Sequence, residues 1–202
     1  MIDQATGLRE RKKQATREAL VRAGIELFIE RGYDQTTLAD IADAAGVSTR
    51  TIFAYFPSKE DILFATYRTM RDALVQALEE RPAACDALTA LRDFILSSAH
   101  DKTELDHKLG CVIEADPTLA SHRRARLGEF REVLAAAIAE DLGVPVDDRR
   151  PQIAAASVTA AFEVLEQEDH RGPWKTATNE EIAAAIDPVL AFVRAGLEAL
   201  PQ

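Results

Sequence analysis

The 202 residues suffice for one or two domains with a substantial core, and the dominance of alanine, leucine, isoleucine and glutamate, with only 9 glycines, favours an all-α protein. No apolar run is long enough to span a bilayer and the polar N-terminus lacks a signal-peptide core, so membrane and secreted classes are excluded and a cytoplasmic location is expected. The net charge of −10 is unevenly spread: residues 1–60 carry nine cations and nine acids, so the whole negative excess lies in 61–202.

Residues 1–8 are expected to be loosely ordered. A helix is predicted from Glu10 to Arg31, with Ala15, Ala19, Leu20, Ala23, Leu27 and Phe28 on its apolar side and Gly32 ending it. Arg9, Arg11, Lys12, Lys13 and Arg17 crowd its first stretch. Such a run is either a solvated face or a basic arm lying along a nucleic-acid backbone, and the motif that follows favours the arm.

That motif is TLADIADAAGVSTRTIFAYFPSKED. Leu38, Ile41, Ala42 and Ala45 recur at helical spacing, and Thr37 can cap the helix they define. Gly46 stops it, Val47 turns inward, and Ser48 can cap a second short helix. Ile52 and Phe56 face its core side. Thr49, Arg50, Thr51, Phe53, Ala54 and Tyr55 lie on the other faces. Pro57 ends it and Ser58 caps a third helix. Two helices joined by a tight glycine turn form a helix-turn-helix, whose second helix can enter a major groove of DNA.

The residues Phe28, Gly32, Thr37, Ile41-Ala42, Ala45-Gly46-Val47-Ser48, Thr51, Tyr55-Phe56 and Ser58-Lys59-Glu60 resemble the N-terminal domain of TetR-family transcriptional regulators. The resemblance covers the first quarter to third of the chain. It implies a DNA-binding unit over residues 1–58 and a helical body over 59–202 that binds an effector and dimerises. Thr37, Ser48, Thr51, Tyr55 and Lys59 stand where hydroxyls, helix N-termini or an ammonium meet phosphates. Thr49, Arg50, Phe53 and Ala54 are the candidates for facing bases, Arg50 foremost, because a guanidinium can bond guanine O6 and N7 together. Family members often carry tyrosine and histidine where this chain has Phe53 and Ala54, so readout there is expected to be apolar or absent.

The third helix is predicted to run on from Lys59 to Glu80, closed by Arg81-Pro82. Further helices are predicted over 85–100, 121–142 and 151–168, and the last is expected to be capped by Asn179 and kinked or restarted at Pro188. Gly110 and Pro117 imply a short or bent helix between them. Arg123, Arg124, Arg126 and Arg131 read as one basic, solvated patch. Cys85 and Cys111 lack metal spacing and are expected to be small core residues rather than a disulfide.

The alanine-rich final helices leave more apolar surface than one partner covers. By the family pattern they pair with their copies in a homodimer, presenting two reading helices about 34–36 Å apart to a pseudo-palindromic double-stranded operator. The resemblance also implies a small effector inside the body, with Phe64, Tyr67, Met70, Phe94, His107, Cys111, Phe130, Phe162 and Trp174 as candidate lining, each of which core packing alone could explain. The segment from Glu104 through Ala139 resembles the subgroup of the mycofactocin regulator, which implies an acyl-CoA or other lipid-like, apolar effector. No cofactor is expected. Two alternatives stay open: an enzyme, for which His107 and Cys111 offer too few ligands for a zinc site, and a helical interaction protein with a non-functional helix-turn-helix.

Overall fold

A computed structural model describes residues 3–99, 104–169 and 177–200. All regular structure among them is helical: α1 Asp3–Arg31, α2 Leu38–Ala44, α3 Thr49–Tyr55, α4 Lys59–Leu63, α5 Ala65–Glu79, α6 Ala87–Ser98, α7 Glu104–Ala115, α8 Pro117–Leu142, α9 Arg149–Asp169 and α10 Asn179–Ala199. None of the helices in the described residues is long and apolar enough to cross a membrane.

Two buried clusters organise these helices. The first joins Leu20, Leu27 and Phe28 of α1 to Ile41, Ile52, Phe56, Ile62, Leu63 and Phe64, and takes in Leu109, Ile113 and Leu119 from α7 and α8. The second joins Leu74, Leu78, Leu88, Leu91, Leu134, Ile138, Val158, Leu190 and Val193 from α5, α6, α8, α9 and α10. Burial of apolar side chains at about 25 cal/mol per Å² is the main favourable contribution in each. Within the first cluster α1 and α4 approach closely: a Cβ added at Gly24 would lie 2.5 Å from Ile62 Cγ2.

Several boundaries differ from the sequence expectation, each for a physical reason. α1 starts at Asp3 rather than Glu10, since nothing in Gln4-Ala-Thr-Gly-Leu8 breaks a helix strongly. The helix expected over 59–80 is broken at Phe64 (φ −100°, ψ 17°), and α4 packs into the first cluster with α1. α6 starts at Ala87 because Asp86 caps it. α7 continues without a break through Gly110, which is buried. α8 begins at Pro117, with Asp116 accepting from the amides of Thr118 at 2.7 Å and Leu119 at 3.2 Å. Thr178, not Asn179, caps α10, in a reciprocal box with Glu181. Pro188 does not end that helix, because Ile186, Leu190 and Val193 on either side are anchored in cores.

The four arginines of α8 do not form one solvated patch. Arg123 is 3% exposed and ion-paired with Glu114 of α7. Cys85 is half-buried, and Cys111 is exposed rather than in the core.

Candidate nucleic-acid interface

The helix-turn-helix is assembled from local hydrogen bonds that its sequence specifies. Thr37 caps α2: its Oγ1 accepts from Asp40 N at 3.2 Å, and Asp40 Oδ2 accepts from Thr37 N at 2.9 Å. The Thr37 hydrogen bonds hold the Asp40 carboxyl below its ordinary pKa. Gly46 takes φ +68°, which lets Val47 N donate back to Ala42 O at 2.9 Å and reverses the chain. Ser48 Oγ then accepts from Thr51 N at 3.1 Å and lies 2.7 Å from Thr51 Oγ1, which starts α3. Ile52 and Phe56 are buried at 0% and 1% exposure and anchor that helix.

The opposite side of α3 is open. Thr49, Arg50, Phe53 and Ala54 are all exposed, with Phe53 at 55%. Thr51 and Tyr55 are half-buried at the edges of this face, and Thr37 and Ser48 are exposed at the two helix starts. The structure thus brings together eight of the nine residues expected to meet DNA.

The ninth, Lys59, is turned inward. Its Nζ donates to the carbonyls of Tyr33 at 2.7 Å and Thr36 at 3.2 Å, approaches that of Asp34 at 3.4 Å, and lies 4.2 Å from the centre of the Tyr33 ring. It fastens the turn between α1 and α2. The adjacent Tyr33 hydroxyl is pushed above its usual pKa, first by burial and then by the carboxylates of Glu60, Asp34, Asp116 and Asp61.

Arg17 is brought to this site more closely than its place in the basic run foretold. Its guanidinium lies 5.3 Å from the centre of the Phe56 ring. It helps line a groove of about 600 Å³ between α1 and the end of α3, with Glu10, Arg11, Lys13, Gln14, Ala54 and Tyr55. The i, i+4 spacing of Lys13 and Arg17 was the available signal.

In the body, three predicted effector residues meet. Phe64, Tyr67 and Phe130, with Arg68, Arg126 and Glu129, line a crevice with about 10 Å³ of free room, enough for roughly one water. The Phe64 and Tyr67 rings meet edge to face, 5.7 Å apart. Met70, Phe94, His107 and Phe162 are half-buried elsewhere, and Cys111 is exposed. Trp174 lies outside the described residues. Sequence reasoning missed the charged link beside this crevice: Glu60 Oε1 of α4 lies 3.3 Å from His122 Nδ1 and 3.9 Å from Arg126 Nη2 of α8. Its partners are some sixty residues apart, so no spacing announces it. Among the described residues no group of three or more His, Cys, Asp or Glu is placed to hold a metal.

Comparison with known proteins agrees with this geometry. The sequence model described as "Bacterial regulatory proteins, tetR family" matches residues 20–66, and that described as "MftR C-terminal domain" matches 82–198. The HTH-type transcriptional regulator TcmR of Streptomyces glaucescens is 35% identical over 173 residues, covering 80% of this chain and 76% of TcmR. MftR of Mycobacterium tuberculosis, whose name assigns it to mycofactocin biosynthesis, is 28% identical over 95% of this chain and 96% of its own. Among solved structures, a complex of triclosan with SmeT, the repressor of the Stenotrophomonas maltophilia efflux pump SmeDEF, superposes with a TM-score of 0.61 over 93% of this chain and 100% of that one. At 22% identity this last likeness shows the fold alone. With both of its segments matched and a relative 35% identical over 80% of its length, the chain belongs to the TetR family of helix-turn-helix transcriptional regulators.

Proposed function

We propose that this regulator is a repressor that binds a pseudo-palindromic DNA operator as a homodimer and leaves it when a small apolar or lipid-like effector enters the body. The observation that carries the reading is the outer face of α3. Arg50 there is exposed, and among the described residues no carboxylate pairs with it. Its guanidinium is therefore available to a guanine edge, with Phe53 and Ala54 placed for thymine methyls. Thr37, Ser48, Thr51 and Tyr55 flank that face as phosphate contacts. Lys59 supports the site from within.

The division of labour falls at Phe64, with a reading head before it and an effector and dimer body after it. Support for dimerisation comes from Phe192 of α10 at 73% exposure, Val164 of α9 at 58% and Ile153 of α9 at 47%. These apolar side chains lie on the final two helices, where a second copy would cover them. The crevice where Phe64, Tyr67 and Phe130 meet is the place among the described residues where predicted effector-lining side chains converge. The body's acidity keeps it off the phosphates.

The test is selection of a duplex from a random pool, followed by titration of the wild type and Arg50→Ala. The wild type is expected to enrich a two-fold symmetric sequence. Arg50→Ala is expected to lose about 1–3 kcal/mol on it. Enrichment of no sequence, or an unchanged affinity in the variant, would overturn the assignment of α3 as the reading helix.

A further inference from the structure

We propose that His122 is a proton-operated latch between α4 and α8. Charged, it clasps Glu60 and holds the reading head against the body in the arrangement seen here; neutral, it releases that hold. The proposal rests on the reading of α3 as the helix in the groove and of the crevice at Phe64 as the place an effector opens.

Three observations support it. The first is position. α8 runs through both buried clusters, with Leu119 in one and Leu134 and Ile138 in the other. His122 and Arg126 lie between these anchors, and Glu60 sits on α4 just before the break at Phe64. The contact therefore spans the seam between the clusters, beside the crevice that Phe64, Tyr67, Arg126 and Phe130 line. An occupant larger than one water must part Phe64 and Tyr67 from Phe130, which draws α4 and α5 away from α8. The second is that the contact depends on charge. His122 Nδ1 is shielded from solvent and lies 3.3 Å from Glu60 Oε1, yet it is not aligned to hydrogen-bond there. What remains is Coulomb attraction, which requires a protonated ring. The side chain as a whole is 43% exposed, so the ring exchanges its proton with water. The third is that the charges around the pair are fixed. On the turn after α1, burial above all pushes the Tyr33 hydroxyl above its usual pKa, so it stays neutral. On α4, Lys59 is spent on the turn carbonyls, and Asp61 is held below the ordinary carboxylate range by Ser58 and bonded to Arg68 of α5. On α8, Asp116 takes the first amides, Arg123 is paired with Glu114 of α7, and Arg126 lies 3.9 Å from Glu60 Oε1 and 3.0 Å from Glu129 Oε1. Of these side-chain types, imidazole alone ordinarily changes charge between about pH 5 and 8. The arrangement that gains from the proton is favoured as pH falls. Here that arrangement has the crevice closed, which is the effector-free, operator-binding one.

The experiment measures affinity for the selected operator duplex by fluorescence anisotropy, at constant ionic strength, from about pH 5.5 to about pH 8. The proteins are the full-length wild type, His122→Gln, Glu60→Gln, the double variant and His122→Arg. The wild type is expected to lose affinity as pH rises by a factor roughly two- to fivefold larger than His122→Gln does, the scale of a partly exposed ion pair. Glu60→Gln should flatten the profile equally, and the double variant no further, because the two side chains act as a unit. His122→Arg, permanently charged, should keep at the alkaline end the affinity that the wild type has at the acid end. The remaining histidines are present in every protein, so their contributions cancel in the comparison. Variants weakened by the same factor at every pH would show a merely structural contact and overturn the latch. So would a wild-type profile matched by that of His122→Gln. Either result leaves the role of α3 intact, whereas a wild type that binds no duplex overturns both.

Discussion

Arg194 of α10 grips Asp86, the residue that caps α6, with two prongs: Nη2 donates to Oδ1 at 2.7 Å and Nη1 donates to Oδ2. The same Nη2 reaches Thr89 Oγ1 at 2.8 Å, and Asp86 Oδ1 accepts from Thr89 N at 2.8 Å. One carboxylate thus starts a helix and ties the C-terminal helix to it. The Arg194 hydrogen bond, more than the Thr89 bonds, holds that carboxyl far below the ordinary carboxylate range. A folded-state pKa lower than the unfolded one stabilises the fold at pH above about 4, and that contribution fades as pH falls further. Asp86→Ala is expected to lose about 1–2 kcal/mol near neutral pH, combining a lost cap with a partly exposed ion pair. Urea melts of both proteins should converge progressively as the solution is acidified below that range.

Gly24 is a second point of tight tolerance. Alanine would favour the helix by about 1 kcal/mol, yet its Cβ would lie 2.5 Å from the Cγ2 of a fully buried Ile62. Overpacking of this kind costs about 1–3 kcal/mol, so a net loss is expected. Ile62→Leu removes the branch that collides. The double variant Gly24→Ala with Ile62→Leu should therefore be more stable than the sum of the single changes, as a denaturant double-mutant cycle would read.

Lys59 separates a structural role from a DNA-contacting one. With its ammonium bonded to carbonyls of the turn at 33–36, Lys59→Gln is expected to cost about 1–3 kcal/mol of stability. The salt dependence of DNA binding should not change. A shallower salt slope with unaltered stability would show instead that the ammonium swings out to a phosphate.

Phe192 tests the assembly. At 73% exposure in a single chain it is the most exposed large apolar side chain among the described residues. If α9 and α10 meet their copies, Phe192→Asp places a charge in that interface and should yield a monomer by sedimentation equilibrium, with operator affinity reduced. A wild type already monomeric at working concentration would defeat the dimer.

The helix-turn-helix was legible because its instructions are local. Thr37, Gly46, Ser48 and Ser58 each act on a residue no more than five positions away. What escaped depends on residues far apart in the chain. The break at Phe64 follows from the demand that α4 lie flat on α1, which no pattern between Lys59 and Glu80 records. Arg123 read as solvated because Glu114, the partner that meets it where it is buried, belongs to the preceding helix. Lys59 read as a phosphate ligand because its motif position suits one, while the carbonyls that take it are those of residues 33–36. The effector lining was the least legible: three aromatic residues converge, Met70, Phe94, His107 and Phe162 are half-buried elsewhere, Cys111 is exposed, and Trp174 lies outside the described residues.

The unbroken run of α1 from Asp3 to Arg31 makes it a lever. Its rear half packs against both α4 and α7, with Leu20 fully buried, while its forward half extends beyond them. The forward arm is about 25 Å long at 1.5 Å per residue, and a tilt of about 5° there sweeps its tip through about 2 Å. A tilt too slight to disturb the packed side chains around Leu20 would therefore be magnified at the front of α1.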